Sequence, residues 1–150
     1  MESDKMIEIS EADFPEIPEI AALEREIFPD AWSLKSLEET RKQKNAAIFV
    51  AKTKEGMAGY LIFYYVLEEG EIARIATAHS VRRQGAASQM FRKLLDFCRE
   101  QKITRIMLEV RENNEAARQF YGKCGFTKDG IRRNYYENPK ENAVLMSVNL

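Results

Sequence analysis

The chain has 150 residues, 45% of them apolar, which is enough for one sizeable core, and no linker-like change of composition divides it, so a single domain over residues 1–150 is expected. Lys and Arg number 23 against 24 Asp and Glu, a net charge of −1, which argues against direct nucleic-acid binding and against adhesion to an anionic membrane through bulk charge. One histidine, His79, cannot supply a histidine metal cluster or a Ser/His/Asp triad, so no metal is expected.

In chain order, the start Met1-Glu2-Ser3-Asp4-Lys5 is polar, and no apolar run approaches the ~18 residues of a membrane span, which points to a cytoplasmic protein. Met6 to Ile9 alternates like a short strand, and Phe14 to Phe28 carries Ile17, Ile20, Ala21, Leu23, Ile27 and Phe28 at helical spacing. Pro29 and Asp30 end that helix, and Ser33 can cap a second one reaching about Lys42. The connection Phe28-Pro29-Asp30-Ala31-Trp32-Ser33 brackets a turn with two large aromatics, either anchors to the core or a loop facing a substrate. Strands are expected at Ala46–Thr53 and Met57–Leu67, a turn at Glu68-Glu69-Gly70, and a further strand at Glu71–Ala78.

Val81-Arg82-Arg83-Gln84-Gly85-Ala86-Ala87-Ser88 then opens a helix whose stripe is Ala87, Met90, Phe91, Leu94, Leu95 and Cys98. Gly85 and the small residues after it let a backbone approach a ligand, helix-start N–H groups carry partial positive charge, and Arg82 and Arg83 add full charges. The stretch reads as an anion seat or as an ordinary strand-to-helix connection. A strand at Arg105–Val110 follows, then a helix capped by Asn114, with the stripe Ala117, Phe120, Tyr121 and Cys124, ended by Gly125. Cys98 and Cys124 thus fall on apolar stripes and not in a paired motif. An extended stretch through Tyr136 and a strand at Ala143–Val148, after the Asn138-Pro139 turn, close the chain.

The order β-α-α-β-β-β-α-β-α-β-β predicts a mixed α/β (α+β) sheet with antiparallel strands first and a parallel β-α-β unit at its centre. Ligands of such sheets bind beyond the carboxyl ends of diverging strands, which brings Arg82–Ala87 and the end of Arg105–Val110 to one site. There, alternation places Met107, Glu109 and Arg111 on one face against Ile106, Leu108 and Val110. A carboxylate amid that apolar run reads either as a partly buried ion pair with a nearby arginine or as a general base. Tyr121 reads as core or, with a phenol near ~10, as an acid.

The pattern Arg82-x-x-Gly85-x-Ala87 resembles the pyrophosphate-gripping signature of the GNAT superfamily of N-acetyltransferases. Together with Ile75-Ala76-Thr77, Leu108-Glu109-Val110-Arg111, Asn114, Tyr121, Gly125-Phe126 and Ile131-Arg132-Arg133-Asn134-Tyr135-Tyr136, it is similar over most of the chain to the bacterial ribosomal-protein alanine N-acetyltransferases, the RimI branch. The resemblance implies the GNAT acyl-CoA N-acyltransferase fold, with acetyl-CoA as cosubstrate and a protein N-terminus, the alanine of a small-subunit ribosomal protein, as acceptor. It implies that Ile75, Ala76, Thr77, Arg82, Arg83, Gln84, Gly85, Ala86, Ala87 and Asn114 hold acetyl-CoA. In the same way Glu109 would be the base and Tyr121 the acid, with Phe28, Pro29, Trp32 and Tyr135 on the acceptor side. His79, Val81 and Ala87 depart from the family pattern, which more often has proline, an aromatic and glycine there. The alternatives are a GNAT enzyme acting on a lysine side chain or small amine, and a non-catalytic CoA-binding module.

Overall fold

The computed structural model describes residues 6–79 and 85–150. Its elements are β1 (Glu8–Glu11), α1 (Ile17–Ile27), α2 (Leu34–Lys42), β2 (Ala46–Thr53), β3 (Gly56–Val66), β4 (Glu69–Thr77), α3 (Ala86–Gln101), β5 (Arg105–Arg111), α4 (Glu115–Lys123), β6 (Thr127–Tyr136) and β7 (Glu141–Asn149). The expected order is observed.

Two local expectations need correction. The helix expected over Phe14–Phe28 is a separate 3₁₀ turn at Phe14–Glu16 followed by α1, because Pro15 and Pro18 supply no N–H to one continuous ladder. Asp13 N–H closes that turn on Glu16 Oε1 at 2.8 Å. The turn expected at Glu68–Gly70 is already strand from Glu69 onward. Gly70 is there for close approach and not for turning, since a Cβ on it would lie 2.0 Å from the Phe63 ring. Cys124, although the C-cap of α4, packs half-buried against the α3/α4 core with Ala117 and Phe120, as its stripe predicts.

The seven strands form one sheet in the order β1-β2-β3-β4-β5-β7-β6, with every pairing antiparallel except β4–β5. Alternation divides the apolar residues between its two faces. Phe49, Leu61 and Phe63 join Met90, Leu94 and Cys98 of α3 and Tyr121 of α4 in one cluster. Ile48, Val50, Tyr60 and Ile62 join Ile17, Ile20 and Ala21 of α1 and Leu37 of α2 in the other. Fully burying a side chain such as Leu94 or Ile20 stabilises the fold by ~1.5–3 kcal/mol.

The feature that positions a site is the seam between β4 and β5. Their pairing covers only Glu69↔Arg105 to Ile72↔Leu108, whereas β3 accompanies β4 to Thr77 and β7 accompanies β5 to Arg111. Beyond Ile72 the two central strands part. Ala73 is a bulge, since Ile72 pairs with Phe63 and Arg74 with Ile62, and such an extra residue bends a strand and re-aims the side chains after it.

Candidate active site

The cleft opened by the parting strands has different chemistry on its two sides. On the β5-facing edge of β4, residues 73–77 have no strand partner among the described residues, so their backbone groups are available to a ligand. Ile75 packs on the α3/α4 side and Ala76 on the α1/α2 side, which leaves the backbone between them as the part the cleft meets. At the same end α3 begins at Gly85, whose φ of +86° lies in the left-handed region that glycine enters without a Cβ clash. Ala86 is buried and Ala87 half-buried behind it, so the helix start is seated on the core. Arg82, Arg83 and Gln84, together with Val81, lie outside the described residues.

Asn114 caps α4 as expected, its Oδ1 accepting from Ala117 N–H at 3.1 Å. Ser33 does the same for α2, accepting from Ser36 N–H at 3.1 Å. Gly125, with φ +98°, ends α4.

Glu109 stands on β5 just past the last β4–β5 pair, on the α1/α2 side, with its side chain 20% exposed. Arg132 of β6 reaches across β7 and places Nε 3.0 Å from Glu109 Oε2. The approach is off the hydrogen-bonding direction, so Oε2 is buried without an aligned donor among the described residues. The ion pair foreseen for Glu109 therefore exists. It leaves the carboxylate open to competition, because the Arg132 partner is 57% exposed and can exchange Glu109 for water.

Glu71 of β4 shares this face. Its carboxyl is raised, first by burial and then by the charge of Glu109, with Arg132 pulling the other way. Tyr135, although exposed, is raised mainly by the Glu109 carboxylate, then by burial and by hydrogen bonding to Glu109. Burial and then Glu109 push Tyr136 up to about 12. Asn134, with φ +52°, sits in a break in the β6–β7 register between Arg132 and Tyr136 and so helps set the direction of both tyrosines.

Arg111 locks the hairpin that carries these tyrosines. It donates to the carbonyls of Pro139 at 2.9 Å and Glu137 at 3.0 Å, pairs with Glu141 at 3.1 Å, and lies 4.4 Å from the Tyr136 ring centre.

Tyr121 lies on the opposite side of the sheet from Glu109. It is buried, its ring packed against Phe120 and Phe126, and burial raises its hydroxyl above the usual phenol range. Tyr136 is within electrostatic range of both Tyr121 and Glu109. Burial pushes the Cys98 thiol up to about 12 and also raises Cys124, which keeps both thiols protonated and leaves them as packing.

The aromatic loop between α1 and α2 is anchored, and the anchor was not foreseen. Glu24 of α1 is 0% exposed, yet its carboxylate accepts from Tyr60 Oη, from Trp32 N–H at 3.0 Å, and from Arg74 Nε and Nη2 at 2.9 and 2.6 Å. Arg74 lies 3.8 Å from the Phe28 ring centre and 5.7 Å from that of Trp32. Phe28 and Trp32 are thereby held over β4, while Pro29 is exposed. The signal was present in the sequence: Glu24 continues the series Ile17, Ile20, Ala21 at helical spacing, and a charge on an apolar stripe implies a buried partner.

A parallel β-α-β unit whose strands diverge, with a helix start on one side and a carboxylate on the other, is the arrangement that the sequence resemblance to acyltransferases implies, and the family model agrees. Residues 17–126 match the acetyltransferase (GNAT) family, and the chain belongs to that family of N-acetyltransferases. It is 30% identical over 146 residues to the ribosomal protein bS18-alanine N-acetyltransferase of Haemophilus influenzae, covering 95% of this chain and 97% of that protein. The N-alpha-acetyltransferase of Sulfurisphaera tokodaii is 25% identical over 159 residues, with 97% and 95% covered. Among solved structures, the ribosomal-protein-S18-alanine N-acetyltransferase of Escherichia coli superposes with a TM-score of 0.88 at 28% identity, covering 96% of this chain and 94% of that one.

Proposed function

We propose that the protein transfers the acetyl group of acetyl-CoA to the α-amine of a protein N-terminus, the alanine of a small-subunit ribosomal protein being the acceptor in a cytoplasmic setting. The observation that carries the reading is Glu109: a carboxylate with a buried, weakly satisfied oxygen at the mouth of the parted strands, among the tyrosines of β6. The names of the relatives support the acceptor.

The residues present fit acetyl-CoA. The unpartnered backbone of Ile75–Thr77 can pair with an extended amide chain, and the N–H groups of Gly85, Ala86 and Ala87 at the start of α3 suit phosphate. Arg82, Arg83 and Gln84 would add charge and donors, and Asn114 has its amide nitrogen to offer because the cap uses only its oxygen. When bound, acetyl-CoA supplies an activated acetyl thioester. The acceptor ammonium displaces Arg132 from Glu109, and the carboxylate then takes its proton, directly or through a water, to leave the neutral amine that attacks. An α-amine with a pKa near ~7.7–8.0 asks little of such a base, and a lysine near ~10.4 asks more. Tyr121 keeps its proton at neutral pH. Because burial raises it, giving that proton fully to a thiolate is uphill, so its hydroxyl acts first as a hydrogen-bond donor to the departing sulfur.

The test compares kcat/KM for an alanine-starting ribosomal peptide, the same peptide N-blocked with an internal lysine, and spermidine. The α-amine peptide is expected to be the best substrate. A better rate on the blocked peptide or the polyamine would move the acceptor to a lysine or small amine.

A further inference from the structure

We propose that Arg74 sets the size limit for the first side chain of the acceptor, acting as the fixed wall of the cleft opposite Glu109. The proposal rests on the reading above, in which an acceptor amine reaches Glu109 from the α1/α2 side.

The last paired residues are Ile72 and Leu108. The next side chain on β5 toward α1 and α2 is Glu109, and the first large one on β4, past the Ala73 bulge, is Arg74. These two groups flank the opening, one on each strand. An amine brought to Glu109 must direct the rest of its residue along the cleft, toward the β6 tyrosines or toward Arg74 and the aromatic loop.

Arg74 is an unusually immobile boundary for so long a side chain. Its Nε and Nη2 donate to the buried Glu24, Nη2 also reaches the Asp30 carbonyl at 3.2 Å, and the Asp30 carboxylate is 3.5 Å away. Phe28 covers one face of the guanidinium at 3.8 Å. With Glu24 and Asp30 both paired to it, the group presents bulk and shape to the cleft more than net charge. Its side chain is 15% exposed, so an edge remains open while the rest is fixed, and in this proposal that edge faces the cleft. A buried ion pair is a poor route to stability, because desolvation offsets the attraction, and well-packed apolar residues would hold the loop as firmly. What the pair adds is a single orientation: two N–H groups on one carboxylate oxygen and a stacked plane leave the guanidinium no second position. A leucine or methionine wall would yield to a larger ligand.

Removing Arg74 alone strands the Glu24 charge, so the test uses three variants: Arg74→Ala, the double variant Glu24→Gln with Arg74→Ala, and Arg74→Lys, which keeps a cation on Glu24 without the planar stack. Each is assayed with peptides that differ only in a first residue of Ala, Ser, Val, Leu or Met, and folding is checked by circular dichroism and by stabilisation with acetyl-CoA. Wild type is expected to prefer Ala and Ser over Leu. In the double variant the Ala-to-Leu ratio of kcat/KM should fall by about tenfold or more, the scale of discrimination a pocket gains from a methylene or two. The change should come from faster Leu turnover, with the KM for acetyl-CoA unchanged, and Arg74→Lys should give a smaller fall. An unchanged ratio in a folded variant, or an equal loss on every peptide, overturns the proposal and leaves Arg74 as a loop anchor. Wild-type inactivity on all five peptides would instead overturn the N-terminal acceptor itself.

Discussion

The two faces of the sheet are held together differently. The α3/α4 face is almost entirely apolar: Phe49, Phe63, Met90, Leu94, Ile106 and Leu108 meet with no buried charge among them. On the α1/α2 face the apolar cluster of Ile17, Ile20, Leu37, Val50 and Ile62 encloses Glu24, and beside it lie Arg74, Glu71, Glu109 and Arg132. An apolar face can be as stable as the fold needs, yet it cannot orient a polar group. The charged face gives up some stability, since each buried ion must be desolvated, and gains fixed directions for Phe28, Trp32 and Arg74. The division suits an enzyme that seats one substrate against a rigid helix start and orders a second beside a base.

The largest test of this contrast is stability. Arg74→Ala leaves Glu24 with only Tyr60 and Trp32 as donors, and breaking a buried pair in this way costs ~3–5 kcal/mol. Glu24→Gln with Arg74→Ala should recover a good part of that loss in urea unfolding. If the double variant were as unstable as the single one, the stranded charge would not be the cause. Catalysis comes next. Glu109→Gln should lower kcat by about a hundredfold or more, with partial rescue at higher pH, while leaving the thermal shift on acetyl-CoA binding intact. A wild-type rate would reduce Glu109 to the partner of Arg132.

Much of this plan was legible in the sequence. The stripe of α3 from Met90 onward, the caps Ser33 and Asn114, the stop at Gly125 and the alternation of β5 all follow from local rules, and each was observed, whereas the small residue that α3 buries at its start is Ala86 and not the expected Ala87. The parting of β4 and β5 was foreseen as a site but not as a length, because pairing is set by the neighbours β3 and β7. Arg132 was not identified as the partner of Glu109, since the contact depends on β6 lying two strands away, beyond β7. Glu24 and Arg74 were visible as charges in apolar runs, yet what joins them is the crossing of α1 over β4, which no local pattern encodes.

Two smaller effects separate the faces further. Gly85→Asp should abolish the thermal shift with acetyl-CoA in a folded protein, because it adds a side chain at φ +86° and a negative charge where phosphates would sit. An unchanged shift would move the cofactor away from the start of α3. The last effect is confined to alkali. Burial raises Cys98 from 9.0 to about 12, so the folded state favours the thiol. The stability from that thiol is complete below pH 9, where both states hold the proton, and is lost as pH rises from 9 toward 12, where the unfolded chain ionises first. Tm should therefore fall over this range, and Cys98→Ala should flatten part of the slope. An unaltered slope would contradict burial of a thiol in the α3/α4 core.

The most direct test of the proposal that the two faces deliver two substrates to Glu109 is the affinity of joined substrates. CoA linked through an acetyl bridge to the α-nitrogen of an alanine-starting peptide should inhibit at least ~100-fold more tightly than CoA alone, as expected when two sites are occupied together. The same peptide linked through a lysine side chain should gain far less. Equal inhibition by the two conjugates, or by either conjugate and CoA alone, would contradict the account.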